Sequence, residues 1–582
     1  MDTRWDLSIL YDSVKGEKYK SDLELLKSTI SIYSKWVDDG MEKTVEETLI
    51  KFLEFTTKIE ELAYTLGAFP SLSTAVNTKD TESKNALEML DQIFLELTKP
   101  SVNFKKWLQS NRDEVVKALE SKSLADSKFY FNEMLNSTKY MLSDKEEIVY
   151  ATLQNTGSSA WSKLHNLLTS TLKVDYRDEI ISLPVVRNLA YDKDPKVRKD
   201  AYEAELKSYL KIEDSIASAL NAIKGEVIED VKLRGYDSPL DKTLQNSRMD
   251  KETLDAMISS IEDYLPKFEE YYKKKAEMLG HKNGLPFYDL FAPMGESNKT
   301  FTYEEAANFV VENFRSFSDE LADYADHAFK NRWIDAEPKE GKVGGAFCYG
   351  IHPVGESRIL SNFTGSLSDV LTLAHELGHG FHGHCLKSEK IINCDYPMPV
   401  AETASIFCET IVNNAMMKTA DRDSLVTILE SGVSDAGQVI VDIYSRYTFE
   451  TNLFENRKKG SLSVDHLKEL MTEAQKKAYR KGLDHNYLHP YMWINKGHYY
   501  GAGNNFYNFP YAFGLLFAKG LYAIYLERGE SFVNDYKNLL AATGKNSIKD
   551  VAMLMDIDIT KKDFWKGSLE LIAKDIDKFL AL

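Results

Sequence analysis

Cysteine is scarce: 4 occur in 582 residues, at 348, 385, 394 and 408. That is too few, and too unevenly spaced, for a disulfide scaffold or a cysteine-based metal site, so reduced thiols in a cytoplasmic protein are expected. Cys385 and Cys394 are close enough in sequence to pair in principle, but buried thiols are the expected state. Proline is scarce too, 14 in all, and leaves long stretches free to be helical. No run of 18 apolar residues occurs, and the opening Met1-Asp2-Thr3-Arg4-Trp5-Asp6 lacks the apolar core of a signal peptide, which predicts a chain with no membrane partner. Basic residues are in deficit, 72 Lys and Arg against 90 Asp and Glu, and the formal net charge of −18 excludes broad nucleic-acid or anionic-membrane binding. Internal repeats and low-complexity tracts are also missing.

What is present is helical periodicity. Ser143-x-x-Glu146 reads as a capping box ahead of Ile148, Val149 and Leu153, and Asp194-Pro195 opens an apolar-periodic segment through Val197, Ala201, Leu206, Leu210 and Ile216. The chain is predicted to be mainly α. Strand-like exceptions are two hairpins. One joins Leu172–Tyr176 to Ile180–Leu183 around Arg177-Asp178, and the other spans Gly344 to Phe363 with Pro353-Val354-Gly355-Glu356 at its turn. Lysine runs such as Lys273-Lys274-Lys275 read as solvated helix faces. A chain this long exceeds one growing core, so two or more lobes are expected, with a boundary near 190.

The densest chemistry is His375-Glu376-Leu377-Gly378-His379, set in a segment whose start carries the cap candidates Ser366 to Asp369. Residues four apart on a helix lie about 5–6 Å apart on one face, so His375 and His379 can offer two imidazole nitrogens to one zinc ion. Glu376 falls beside such an ion rather than on it, where a carboxylate can take a proton from water. Four of the 12 histidines (375, 379, 382, 384) crowd this segment, which an apolar core helix has no use for.

A catalytic zinc needs a third protein ligand. A third histidine at the spacing used by one large class of zinc proteases is missing, because position 385 is cysteine. Glu402 lies in a second helical segment that follows Pro397-Met398-Pro399, and Ile406 and Glu409 share its face. Glu402 can therefore complete the site while Glu409 orients a ligating histidine. Glu389 and His384 are further candidates, but both would need the first helix to end abruptly.

A second concentration lies at Tyr491, Tyr499, Tyr500, Tyr507 and Tyr511, with His498 and glycines 497, 501 and 503. Phenol or imidazole donors aimed at a developing oxyanion are typically worth about 2.7–4 kcal/mol, and glycines let such a loop approach substrate. Gly344, Gly345 and Ala346, ahead of the second hairpin, are candidate substrate-binding positions, since an edge strand can hold peptide backbone by strand addition.

The segment His375 to His382, Ala401-Glu402-Thr403 with Glu409, the aromatic stretch from His498 to Gly514, and the opening Arg4-Trp5-Asp6-Leu7 resemble the thimet-oligopeptidase-like metallopeptidases, family M3, in the oligoendopeptidase F branch. The resemblance covers most of the chain and is tightest between about 340 and 515. It implies a two-lobed, mainly helical zinc metallopeptidase with a deep substrate channel and a small β-sheet beside the active-site helix. By chain order this is a helical N-terminal lobe over 1–190 and a catalytic region over 191–582. It also implies one zinc held by His375, His379 and Glu402, and short peptides as substrates. Relatives place a histidine and tyrosines over the metal, and His498, Tyr507 and Tyr511 are the matching positions. Gly514 stands where thimet-type relatives carry a further tyrosine, so either Tyr507 or Tyr511 is the donor. Glu376 is then the expected base, endopeptidase action the expected activity, and a zinc carboxypeptidase of similar build the rival.

Overall fold

The computed structural model describes residues 1–295 and 299–582. Helices dominate it, and strands are confined to two small sheets. The chain forms two compact units, each assembled from three stretches: Met1–Lys139, Lys299–Lys418 and Ile524–Ile557 in the first, and Tyr140–Asn298, Thr419–Ala523 and Asp558–Leu582 in the second. Compactness thus divides the molecule differently from a single cut near 190, which falls inside the second unit.

In the first unit, Glu17–Asp38 and Val45–Val76 bury Leu26, Ile30, Leu49 and Leu66 in one core, because apolar residues recur along one face of each helix. A three-stranded sheet joins that core through Ile351 and Leu360. Its strands are Ile334–Asp335, Phe347–Ile351 and Glu356–Leu360. The third lies in the centre, parallel to the first and antiparallel to the second. The predicted hairpin is therefore present, and Gly355 takes the left-handed conformation (φ 67°) at its turn. Phe347–Ile351 is left as an outer strand.

In the second unit, Lys251–Met278 packs on Lys562–Leu580, and Ile443–Arg457 packs on Val464–Tyr479. The Ser143/Glu146 capping box and the hairpin Lys173–Tyr176/Glu179–Ser182 form as expected. The helix opened by Asp194-Pro195 is shorter than its apolar period suggests and ends at Tyr209. Lys211 and Ile212 donate to Ser208 and Tyr209, three residues back, and that tighter turn stops the helix before a new one begins at Glu213. The lysine run also needs correcting. Lys275 is buried and paired with Glu430 at 2.6 Å, since helical rotation turns it away from the solvated Lys273.

The helix Phe509–Arg528 is long and apolar enough to cross a membrane by length and composition, with a mean hydropathy of 1.3. Two-thirds of that window (67%) is buried within the protein, as a core helix would be.

Candidate metal centre

The helix bearing the two histidines runs Leu367–Leu386. Ser366 caps it: its hydroxyl accepts from the Asp369 amide at 3.1 Å, and Asp369 accepts in return from the amides of Ser366 and Thr364. Such a cap is worth about 1 kcal/mol and sets where the helix starts, hence which way His375 and His379 point. Their rings lie 4.9 Å apart, centroid to centroid.

Glu402 comes from a break in the chain rather than from within a helix. It ends the short helix Met398–Ala401, and the next helix, Thr403–Thr419, begins after it. Gly378 makes this approach possible, because a Cβ at that position would stand 2.5 Å from the Ala404 carbonyl oxygen and 2.6 Å from Ser405 Cα. Glu402 Oε2 consequently sits 3.2 Å from His375 Nε2 and 3.3 Å from His379 Nε2, and it also accepts from the Ser405 hydroxyl at 2.7 Å. The three donor atoms all lie within 4.8 Å of one another, and among the described residues this is the one group of His, Cys, Asp or Glu so placed.

Glu409 completes the arrangement from one side. Its Oε2 lies 3.1 Å from His375 Nδ1. A carboxylate there accepts the Nδ1 proton and leaves the Nε2 lone pair directed at the shared point, as a histidine ligand requires. Two imidazole nitrogens and one carboxylate oxygen suit zinc and leave room for one more ligand, so the donor set fits the implied ion. Burial disfavours the charge on His375, but hydrogen bonds to Glu402 and Glu409 raise its pKa to about 10. Burial opposes ionisation of Glu402, yet its bonds from His375 and His379 hold the carboxyl far below the ordinary range. Without an ion, His375 is thus held as an imidazolium between the two carboxylates, and a bound metal would have to displace its Nε2 proton.

Glu376 is buried and is not one of the three donors. Burial raises its pKa, the charges of His379 and His375 oppose that rise, and the Cys348 amide on the strand Phe347–Ile351 donates to it. Gly344, Gly345 and Ala346 immediately precede that strand. Asn362 Nδ2 holds the Gly345 carbonyl at 2.9 Å, and Gly345 takes a φ of +79°.

The other candidates are engaged elsewhere. Glu389 lies past the end of the helix and pairs with Lys545 at 2.7 Å, and His384 faces Glu320 at 3.2 Å. His382 is fully buried, stacked on Tyr396 and bonded to Thr543, and burial drives its pKa down to about 3. Of the four clustered histidines, two therefore meet at the site.

His498, Tyr507 and Tyr511 belong to the second unit, and they form a group of their own. The tyrosine hydroxyls are 3.1 Å apart, and the Tyr507 ring stacks against His498 at 6.2 Å. The sequence reading missed Asn508 and Arg446. Arg446 Nη1 donates to Asn508 Oδ1 at 3.1 Å. Because arginine only donates, that contact turns the Asn508 NH2 towards His498 Nε2, 2.6 Å away. His498 therefore accepts at Nε2 and carries its proton on Nδ1. Burial, then the charges of Arg446, Lys224 and Lys496, lower its pKa to about 3 and keep it neutral. Asn508 stood inside the tyrosine-rich stretch and could have been singled out there; nothing in the spacing marks Arg446.

Comparison with known proteins places the chain among peptidases of mainly helical fold. It belongs to peptidase family M3: the family profile matches residues 188–571, and the "Oligopeptidase F" profile matches residues 106–173. The oligoendopeptidase F homolog of Lactococcus lactis subsp. lactis is 24% identical over 588 residues, covering 97% of this chain and 95% of the relative. Oligopeptidase PepF of Bacillus subtilis is 23% identical over 476 residues, 79% of this chain and 69% of the relative. Among solved structures, a Chlamydophila abortus protein superposes with a TM-score of 0.84 at 19% identity, covering 100% of this chain and 98% of its own. Oligoendopeptidase-F from Enterococcus faecium gives 0.69 at 18% identity, with 97% of each chain covered.

Proposed function

We propose that the protein is a zinc-dependent endopeptidase that hydrolyses short oligopeptides in the cytoplasm. The observation that carries this reading is the convergence of His375, His379 and Glu402 on one point, with Glu376 buried beside them and outside the donor set. Family membership supports peptide hydrolysis, the names of the relatives support oligopeptides as substrates, and four unpaired cysteines suit a reducing compartment. The metal-bearing region is assigned to 191–582, with 1–190 as the helical lobe that precedes it in sequence.

His375, His379 and Glu402 would hold the zinc, which supplies Lewis-acid polarisation of the scissile carbonyl and of the attacking water. Glu376 takes the proton of that water as it attacks, and passes it to the departing amine when the C–N bond breaks. Its raised pKa suits a group that must both accept and release a proton. Glu409 holds His375 in the ligating tautomer. His498, through Nδ1–H, and either Tyr507 or Tyr511 donate to the oxyanion, a role that needs a neutral, pre-oriented imidazole. Gly344, Gly345 and Ala346 offer backbone groups to the extended peptide.

The test is Glu376→Gln. It should retain one zinc per chain by elemental analysis and lose about 10²–10⁴-fold in kcat; full turnover in that variant would remove Glu376 from the chemistry. Quenched peptides blocked at both ends decide between endopeptidase and carboxypeptidase action, because only the former cuts them.

A further inference from the structure

The second unit contains a cavity of about 860 Å³ that the proposed chemistry does not use. It lies within the size range of small-molecule and peptide sites. Three cations and two carboxylates line it: Arg187, Arg198, Lys496, Glu205 and Asp442. The two arginines and two carboxylates are all engaged. Arg187 pairs with Glu205 at 3.3 Å, Arg198 with Asp289 at 2.7 Å, and Asp442 with Arg446. Lys496 differs. Among the described residues its ammonium makes no hydrogen bond and no ion pair, although it is largely withdrawn from water. Burial, with the positive charge of Arg446 next in weight, lowers its pKa to about 8, so at neutral pH the cavity holds a cation short of counter-charge.

An unpaired cation in such a space is answered by a carboxylate, which the last residue of a peptide carries. The walls are aromatic where Tyr202, Tyr288 and Phe291 face the space, and a π-helical turn, Gln438–Asp442, forms part of the rim. Such turns interrupt regular helices chiefly where a site requires it. Lys496 also precedes His498 by two residues, so their Cα atoms lie at most about 7 Å apart. The charge of Lys496 helps to lower the pKa of His498, so an anion bound at Lys496 would be felt by the imidazole assigned to the oxyanion.

We infer that this cavity is a carboxylate-binding subsite for peptide substrates, with Lys496 as the counter-ion. The inference rests on the peptidase reading. It adds that substrates are recognised partly by an anionic group, either the terminal carboxylate or an acidic side chain.

The experiment compares the full-length, zinc-loaded enzyme with Lys496→Met and Lys496→Arg on matched peptides. One pair carries a C-terminal acid or amide, and the other an internal Glu or Gln. The wild type should favour the anionic member of at least one pair by about ten-fold in kcat/KM, and the responsive pair identifies the source of the carboxylate. Lys496→Met should bring that ratio close to one while still cutting the neutral peptides, which also shows that it is folded, and Lys496→Arg should restore most of the preference. A ratio unchanged by Lys496→Met, or no preference in the wild type for either pair, overturns the subsite. If no peptide is cut, the peptidase reading fails instead. Equilibrium binding of the acid and amide peptides to wild type and Lys496→Met, read by calorimetry, then still decides the subsite, and equal affinities throughout would refute it.

Discussion

Glu409 reaches His375 from behind: its Oε2 lies 3.1 Å from Nδ1, the nitrogen turned away from the shared donor point. Glu409→Ala should therefore weaken metal binding by about 10–100-fold with all three donors in place. Glu409→Gln, which still offers an oxygen to the Nδ1 proton, should lose less. Competition against a chromogenic chelator measures both, and an affinity equal to wild type in the alanine variant would show that His375 is oriented without its help.

Gly378 is the second lever on the same centre. Its missing side chain lets the chain at Ala404 and Ser405 close on the histidine helix. Gly378→Val should force the two apart, cost about 1–3 kcal/mol of stability, and lower metal affinity without altering any donor. Denaturant titration and metal analysis read the two effects separately. Wild-type zinc content and stability in this variant would mean that the contact is not needed to place Glu402.

Much of this centre was legible in advance because helices impose fixed geometry on spacing. Four residues bring His375 under His379, and Ser366 with Asp369 marks where that helix begins. Glu402 and Glu409 were found by the same logic, although the helix assumed to carry both breaks at Glu402, a backbone detail that apolar pattern does not encode. Hidden from spacing were the contacts made across distant sequence: Lys545 drawing off Glu389, Tyr396 and Thr543 claiming His382, and Arg446 steering Asn508. The early stop at Tyr209 was likewise a matter of tertiary setting. Leu210, at 59% exposure, fits the period yet faces solvent.

The Arg446, Asn508 and His498 relay fixes a proton. Asn508→Asp replaces a donor with a carboxylate against His498 Nε2, so the imidazole should gain a second proton and its pKa should rise well above about 3. Histidine NMR resonances followed against pH would show a new titration near neutrality, with kcat changing in the same range. A His498 signal that stays flat would show that the Arg446 charge outweighs the new carboxylate.

Glu60 provides a pH test of stability that does not involve the metal. Burial, reinforced by the charge of Asp395, raises its carboxyl from 4.5 to about 7, and no basic group neutralises it among its named neighbours. A raised carboxyl pKa means that the protonated form suits the fold. Its stabilising contribution is complete below about pH 4.5 and lost as pH climbs through about 7, a difference of about 3 kcal/mol. Glu60→Gln should abolish that loss and raise the melting temperature at pH 8 while changing little at pH 4. Parallel melting curves for the two proteins at every pH would show that Glu60 ionises freely in the native state.

The donors and the residue that steers them all fall between His375 and Glu409, inside one unit and on adjoining stretches of chain. An ion gripped by so short a span ties together no remote parts of the polypeptide, so its arrival is not a condition for building the rest of the molecule. Maturation can proceed in two stages, folding first and loading afterwards.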